Sequence, residues 1–296
     1  MSSTEITVPV PWGHIAAKAW GTPGNPRLLA IHGLNDNAGS FDQLMPLLQD
    51  QLYIICLDLP GHGLSSHFPP GLHFSLLDLA CSVKLVVDHL NWTSFNILAH
   101  SMGSTVAIYF TALFGEKVTH SILIDGFFPI VIPGENFVQE RCQVILEKFL
   151  RPVKPGMTYD FNGSITKLRE ERIKHISVHA LRALQKRAFT RSDKGYVFNN
   201  DKRTKLVVYG LFTAGFHYGL LKCLDCPILM ILTSEFEASS LSHTPTNQGS
   251  LALLSQTLGP KFKTVRTPGS HDVHMDSPTL LAPVIKHFLI HPVSHL

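Results

Sequence analysis

Short apolar runs closed by Gly, Pro or Asp alternate along the chain with longer stretches whose apolar residues recur every three or four positions. That is the pattern of βα units around a mainly parallel sheet. "RLLAIHG" (27–33) and "LYIICLDLPG" (52–61) are almost continuously apolar, as strands covered on both faces must be, and "SFDQLMPLLQ" between them suits a short helix. In "SLLDLACSVKLVVDHL" (75–90), Leu76, Leu79, Val83, Val86 and Leu90 share one helical face, and Ser75 stands where a hydroxyl caps the first turn. Strand "FNILA", helix "MGSTVAIYFTALF" and strand "VTHSILID", ending at Asp125, come next. The rhythm returns near the carboxyl end, with strand "CPILMILTS", a helix over 248–258, strand "KFKTVRTPG" and a closing helix "SPTLLAPVIKHFL" that has Ser277 as cap and Pro278 in its first turn.

Residues 127–222 break this alternation. They lack buried-strand runs, and Ile165, Leu168, Ile173, Ile176, Ala180 and Leu184 fall at roughly helical intervals, so the segment is expected to be helical. The chain therefore divides into a core, 1–126 with 223–296, and an insertion, 127–222.

Composition narrows the class. A content of 45% hydrophobic and 16% charged residues over 296 positions supplies a large core and excludes disorder. The net charge of +3 excludes a whole-chain affinity for nucleic acid. The charge is uneven, however: residues 164–205 hold twelve Lys and Arg against four Asp and Glu, a net of +8, which leaves −5 for the rest. Amphipathic helices with a solvated outer face account for this, and an anionic lipid or an acyl-thioester headgroup is the partner such a face would take.

The five cysteines are odd in number and scattered, which fits a reducing compartment. "CLDC" (223–226) has no second pair to complete a zinc site and precedes its strand, where a thioredoxin motif would follow one, so neither metal nor redox cofactor is expected. The amino terminus lacks the basic start and apolar core of a signal peptide, and no apolar run reaches the roughly 18 residues of a membrane span. The final "SHL" is close to the SKL tripeptide read by peroxisomal import receptors, giving an expected location of peroxisome or cytoplasm.

The candidate chemistry begins at "FNILAHSMGSTV" (95–106). A serine hydroxyl becomes a nucleophile only when it is exposed, next to a base, and faced by donors for the developing oxyanion. A strand that turns at once into a helix would hold Ser101 out, and "AHSMG" is a GxSxG elbow with Gly103 in place and Ala99 for the first glycine. After the strand "AIHGLND", Gly33 lets the backbone fold so that the Leu34 amide can face that of Met102, a pair of oxyanion donors. "LDLPGHGLSS" (57–66) is a glycine-rich loop that supplies shape. "TPGSHDVHM", after the last strand, offers His271 as the base, with His274 as its rival.

The motifs "HGLNDNAGSFD", "DLPGHGLSS", "LAHSMGS" and "PGSHDVHM", in that order, resemble the α/β-hydrolase superfamily, and the opening "VPWGHIAAKAWG" is similar to its serine hydrolase-like proteins. The resemblance implies an α/β-hydrolase fold, a mainly parallel sheet flanked by helices, with 127–222 as a helical cap. It also implies Ser101 as nucleophile, His271 as base, and the Leu34 and Met102 amides as oxyanion donors. For the acid it leaves alternatives, of which Asp125 is preferred and Glu237 stands second. Most members carry it after the strand corresponding to "PILMILTS", where this chain offers Glu235 and Glu237; some cap-bearing members carry it one strand earlier, which points to Asp125. The expected reaction is cofactor-free hydrolysis of a small-molecule ester or thioester with an apolar acyl part. The alternative is a catalytically silent binding protein on the same fold.

Overall fold

The computed structural model describes residues 3–72, 74–126, 147, 157–170, 176–206, 214–239 and 245–290. The "SHL" ending, Cys142, Ile173 and nearly all of 127–156 lie outside the described residues.

Eight strands form one sheet: β1 (Thr4–Val10), β2 (Gly13–Trp20), β3 (Arg27–Ile31), β4 (Tyr53–Leu57), β5 (Phe95–His100), β6 (Val118–Ile124), β10 (Ile228–Thr233) and β11 (Phe262–Thr267), in the spatial order β1-β2-β4-β3-β5-β6-β10-β11. The β1–β2 and β2–β4 pairs are antiparallel and every other pair is parallel. Successive side chains on a strand point to opposite faces, so each apolar run feeds two cores at once. Leu29 and Ile31 of β3, Ile97 and Ala99 of β5 and Leu123 of β6 join one core. Leu28, Ala30, Leu98, Ile122 and Ile124 join the other. The first core is closed by α1 (Leu76–His89), α2 (Met102–Phe114), α5 (Ala214–Lys222) and α7 (Pro245–Leu258); the second is closed by residues 38–48 and α9 (Pro278–Ile290).

Several predicted elements form as read. Ser75 caps α1 in a capping box, its hydroxyl accepting from the Asp78 amide while the Asp78 carboxylate accepts from Ser75 N–H, an arrangement worth about 1 kcal/mol. Others differ. "SFDQLMPLLQ" makes two short 3-10 turns, Ala38–Phe41 and Met45–Leu47, with Pro46 unable to donate to a continuing helix. The run "CPILMILTS" ends at Thr233, whose hydroxyl caps a further helix, α6 (Ser234–Ala238). The amino-terminal hairpin β1–β2 was not anticipated.

The expectation of an all-helical middle segment needs correction. Besides α3 (Phe161–Glu170) and α4 (Val178–Ala188), it holds a three-stranded antiparallel sheet of β7 (Thr158–Tyr159), β8 (Phe189–Ser192) and β9 (Gly195–Phe198), in the order β7-β9-β8. The β8–β9 pair is a hairpin closed by Asp193–Lys194, with Gly195 at φ 125° entering β9. Leu168, Ala180, Leu181, Leu184 and Phe189 form a small third core with Met275 of α8 (Val273–Asp276).

The basic count of this segment overstates its surface. Arg187 is buried in ion pairs with Asp58 and Glu5, and Arg203 in one with Asp201, whereas Arg182 and Lys186, one turn apart, remain on the exposed face of α4.

Candidate active site

Six consecutive buried residues carry β5 to its end, where the chain turns at once into α2. Ser101 occupies that turn with φ 52° and ψ −123°, a backbone conformation that costs a non-glycine residue about 1–3 kcal/mol and persists only when its surroundings impose it. They do so through hydrogen bonds. The Ser101 amide donates to Ile124 O of β6 at 2.9 Å, its carbonyl accepts from the Ser104 amide at 2.9 Å, and Ser104 Oγ donates to Ala99 O at 3.1 Å. Small residues are needed because α2 presses on β3. A Cβ on Gly103 would lie 2.4 Å from Ile31 O and 2.5 Å from His32 O, both backbone atoms that cannot swing aside. Gly103→Ala is therefore expected to lose about 3 kcal/mol of stability, read as a lower midpoint in a urea titration; an unchanged midpoint would contradict this packing.

His271 follows β11. Its Nε2 accepts from Ser101 Oγ at 3.0 Å, and its Nδ1 faces Asp125 Oδ2 at 3.4 Å, although 170 and 146 residues of chain separate the partners. The His271 side chain is 21% exposed, and that of Asp125 is fully buried at the end of β6, at φ 43°. The Asp125 carboxylate is held from β10: Thr233 N donates to Oδ1 at 2.7 Å, and the Thr233 hydroxyl donates to Oδ2. The structure thus brings Ser101, His271 and Asp125 together.

It places the other candidates elsewhere. Glu237 pairs with Arg266 at 2.8 Å, at the surface. Glu235 Oε2 accepts from the backbone amide of His271 at 2.9 Å, so it holds the loop that carries the imidazole. His274, fully buried, packs against the ring of His100, with centroids 4.0 Å apart.

The loop after β3 comes directly against the serine. A Cβ on Gly33 would lie 3.1 Å from Ser101 Cβ. Leu34 follows Gly33, and Met102 opens α2, so the Met102 amide is among those that the helix's own bonding leaves over. Asn35, at φ 61°, is gripped from the inserted segment: Asn200 Nδ2 donates to its carbonyl at 3.3 Å and Thr204 Oγ1 to its side-chain oxygen at 3.2 Å.

Below this loop, Asp58 is completely buried and fully engaged. It accepts from the Ala38 amide at 2.7 Å, from the Leu64 amide at 2.8 Å and from Arg187 Nε at 2.9 Å, while Arg187 reaches on to Glu5. Gly63, at φ 56°, leaves room for that carboxylate, since a Cβ there would sit 2.3 Å from Asp58 Cγ. Burial disfavours the Arg187 charge, but the two carboxylates outweigh it and push the guanidinium pKa up. The glycine-rich "DLPGHG" loop is thus a socket for an arginine that bolts the inserted segment to the core.

Two histidines near the site are kept neutral. His32, buried where β3 gives way to its loop, accepts from the Leu59 amide and donates to Gly33 O, and burial lowers its pKa to about 4. Burial lowers that of His62 to about 3. Thr233, His100 and the Arg187–Asp58 pair escaped the sequence reading, and Glu235 was read there as a candidate acid, not as an anchor for the loop of His271. Only His100 carried a visible signal, a polar residue closing a mostly apolar strand.

A family profile described as the α/β hydrolase fold matches residues 26–157. Serine hydrolase-like protein 2 of Homo sapiens is 32% identical over 298 residues, covering 97% of this chain and 94% of its own. A hypothetical protein of Pseudomonas aeruginosa, solved by crystallography, superimposes with a TM-score of 0.83 at 28% identity and covers 97% of this chain and 99% of its own. The thioesterase domain from the curacin biosynthetic pathway shares the fold with a TM-score of 0.82 at 21% identity, covering 97% of this chain and 99% of its own. By its sequence relatives and by the sheet that carries these loops, the chain belongs to the serine hydrolase-like family of the α/β-hydrolase fold.

Proposed function

We propose that this protein is a serine hydrolase that cleaves a carboxylic ester or thioester with an apolar acyl part through an acyl-enzyme on Ser101. The observation that carries the reading is the 3.0 Å contact between Ser101 Oγ and His271 Nε2, with Asp125 on the far side of the imidazole. A serine on a strained, half-exposed elbow has no packing reason to meet a histidine from the other end of the chain.

In this reading Ser101 Oγ attacks the carbonyl carbon as His271 Nε2 takes its proton. The imidazolium, held through Nδ1 by Asp125, then gives that proton to the departing alcohol or thiol as the tetrahedral intermediate collapses. A water attacks the acyl-enzyme with His271 again as base, the acid leaves, and Ser101 recovers its proton. The Leu34 and Met102 amides stabilise both oxyanions, each donor contributing about 3–4 kcal/mol in the transition state. The nucleophile, base, acid and oxyanion donors all come from the chain, so the scheme calls on no cofactor.

An apolar acyl part is supported by Phe236, a largely buried ring that stacks on His271 with centroids 6.1 Å apart and so puts an apolar wall beside the base. A thioesterase domain shares the fold, so both leaving groups merit comparison. The test is hydrolysis of a chain-length series of p-nitrophenyl esters beside the matching acyl-CoA thioesters. Turnover that rises with acyl length in at least one series is expected. Folded protein that binds these compounds without turnover would instead identify a silent binding protein on a hydrolase fold.

A further inference from the structure

His100 is the last residue of β5, next to Ser101, and is 1% exposed. Strand alternation turns it toward the face of Leu98, the side covered by residues 38–48 and α8. There it touches two loops at once. Nε2 donates to the carbonyl oxygen of His271 at 2.9 Å, and Nδ1 stands 3.7 Å from Asp36 Oδ2 in the oxyanion loop. One buried imidazole therefore spans the three strand ends that supply nucleophile, base and oxyanion donors.

Asp36, His100 and His274 each bring a donor atom within 4.8 Å of the others, which raises the question of a metal. Their arrangement answers against one. His100 and His274 pack ring to ring at 4.0 Å and 39°, whereas imidazoles sharing an ion aim their nitrogens at it from about 2 Å and splay apart. The Nε2 of His100 is moreover already committed to His271.

We propose that His100 is a positioning residue, which fastens the carbonyl of His271 to the floor of the site and so sets the approach of the base to Ser101. The backbone of His271 is then held at both ends, its amide by Glu235 and its carbonyl by His100, and the imidazole between them has little freedom to leave the serine. Around His100 stand Asp36 and His32 from β3 and its loop, Asp272 and His271 from the loop after β11, and His274 from α8. Burial alone lowers the His100 pKa, but Asp36, Asp272 and the His271 carbonyl more than offset it and raise it above the usual histidine value.

This proposal rests on Ser101 and His271 being nucleophile and base, and the test separates the two questions. In His100→Gln the side-chain nitrogen falls near the Nε2 position and can still donate to His271 O. In His100→Asn the nitrogen falls near Nδ1, facing Asp36, and the bond to His271 is lost. Crystal structures of the two variants are expected to keep the 3.0 Å contact between Ser101 and His271 in Gln and to lengthen it in Asn. Against an ester substrate, kcat is expected to fall about 100-fold in Asn with KM unchanged, and only a few-fold in Gln.

Equal geometry and equal kcat in the two variants would overturn the proposal, as would a folded His100→Gln that loses the contact. If Asn does not fold, Gln decides alone: a retained contact supports the role and a broken one sinks it. Absence of turnover in the wild type would defeat the hydrolase reading, while the two variant structures would still decide the role of His100.

Discussion

Ser101→Ala is expected to abolish covalent labelling by a fluorophosphonate probe and to lower kcat for ester hydrolysis by on the order of a millionfold, the scale on which a nucleophile and its partners act as a unit. The Leu34 and Met102 amides proposed as oxyanion donors survive the substitution, so a residual rate above that of water is expected. Stability provides an independent signature. The elbow forces φ 52° on residue 101, and alanine bears that strain as serine does, whereas glycine does not. Ser101→Gly is therefore expected to be as inactive as Ser101→Ala yet more stable than it, by about 1 kcal/mol, in a urea titration. A catalytic defect paired with a stability gain is the mark of a residue held in an unfavourable conformation for its chemistry. Labelling that survives Ser101→Ala would place the nucleophile elsewhere.

Asp125→Asn is expected to lower kcat about 10⁴-fold, and Glu237→Gln to leave it within about twofold. The carboxylate of Asp125 faces His271 Nδ1 and holds the imidazole in the tautomer whose Nε2 can accept the serine proton. An amide at that place can present its N–H to the ring and favour the wrong tautomer. The fold should tolerate the change, because an asparagine side chain keeps an oxygen for the Thr233 amide and can turn its nitrogen toward the Thr233 hydroxyl. Glu237 has a different task, pairing with Arg266 where solvent screens the interaction. Steady-state kinetics on the two variants, with thermal melts to confirm folding, separate the roles. A larger loss in Glu237→Gln would return the acid to the strand after which most of the superfamily carries it, and equal mild losses would remove both candidates.

Glu235 shows how the ordinary acid position is used here. It lies just after β10, close to where most of the superfamily keeps the acid, yet its carboxylate accepts from the backbone amide of His271. Asp125, from β6, faces the imidazole itself. The parallel register makes this exchange easy. Ile124 of β6 pairs with Ile231 of β10, so the ends of the two strands lie side by side and a carboxylate from either can reach the same loop.

Much of this protein was legible in the order of its residues. Strand alternation and helical spacing are local properties, set by the direction in which each side chain leaves the backbone, so β3 to β6, α1 and α2 could be read directly. The elbow at Ser101 was legible for the same reason, because a serine flanked by Ala99 and Gly103 between an apolar strand and a helix leaves the backbone little choice. The β8–β9 hairpin was hidden because its strands are only four residues each, too short for a two-residue period to stand out against the helices around them. Among Asp125, Glu235 and Glu237 the sequence favoured Asp125 without excluding the other two. The choice depends on which strand ends lie together and on which way three carboxylates turn, and those are settled by hydrogen bonds from Thr233, Arg266 and the His271 amide. The same holds for His100 and Arg187, buried polar groups whose partners lie 171 and 129 residues away; neighbours that distant along the chain leave no local pattern, and only folding brings them within reach.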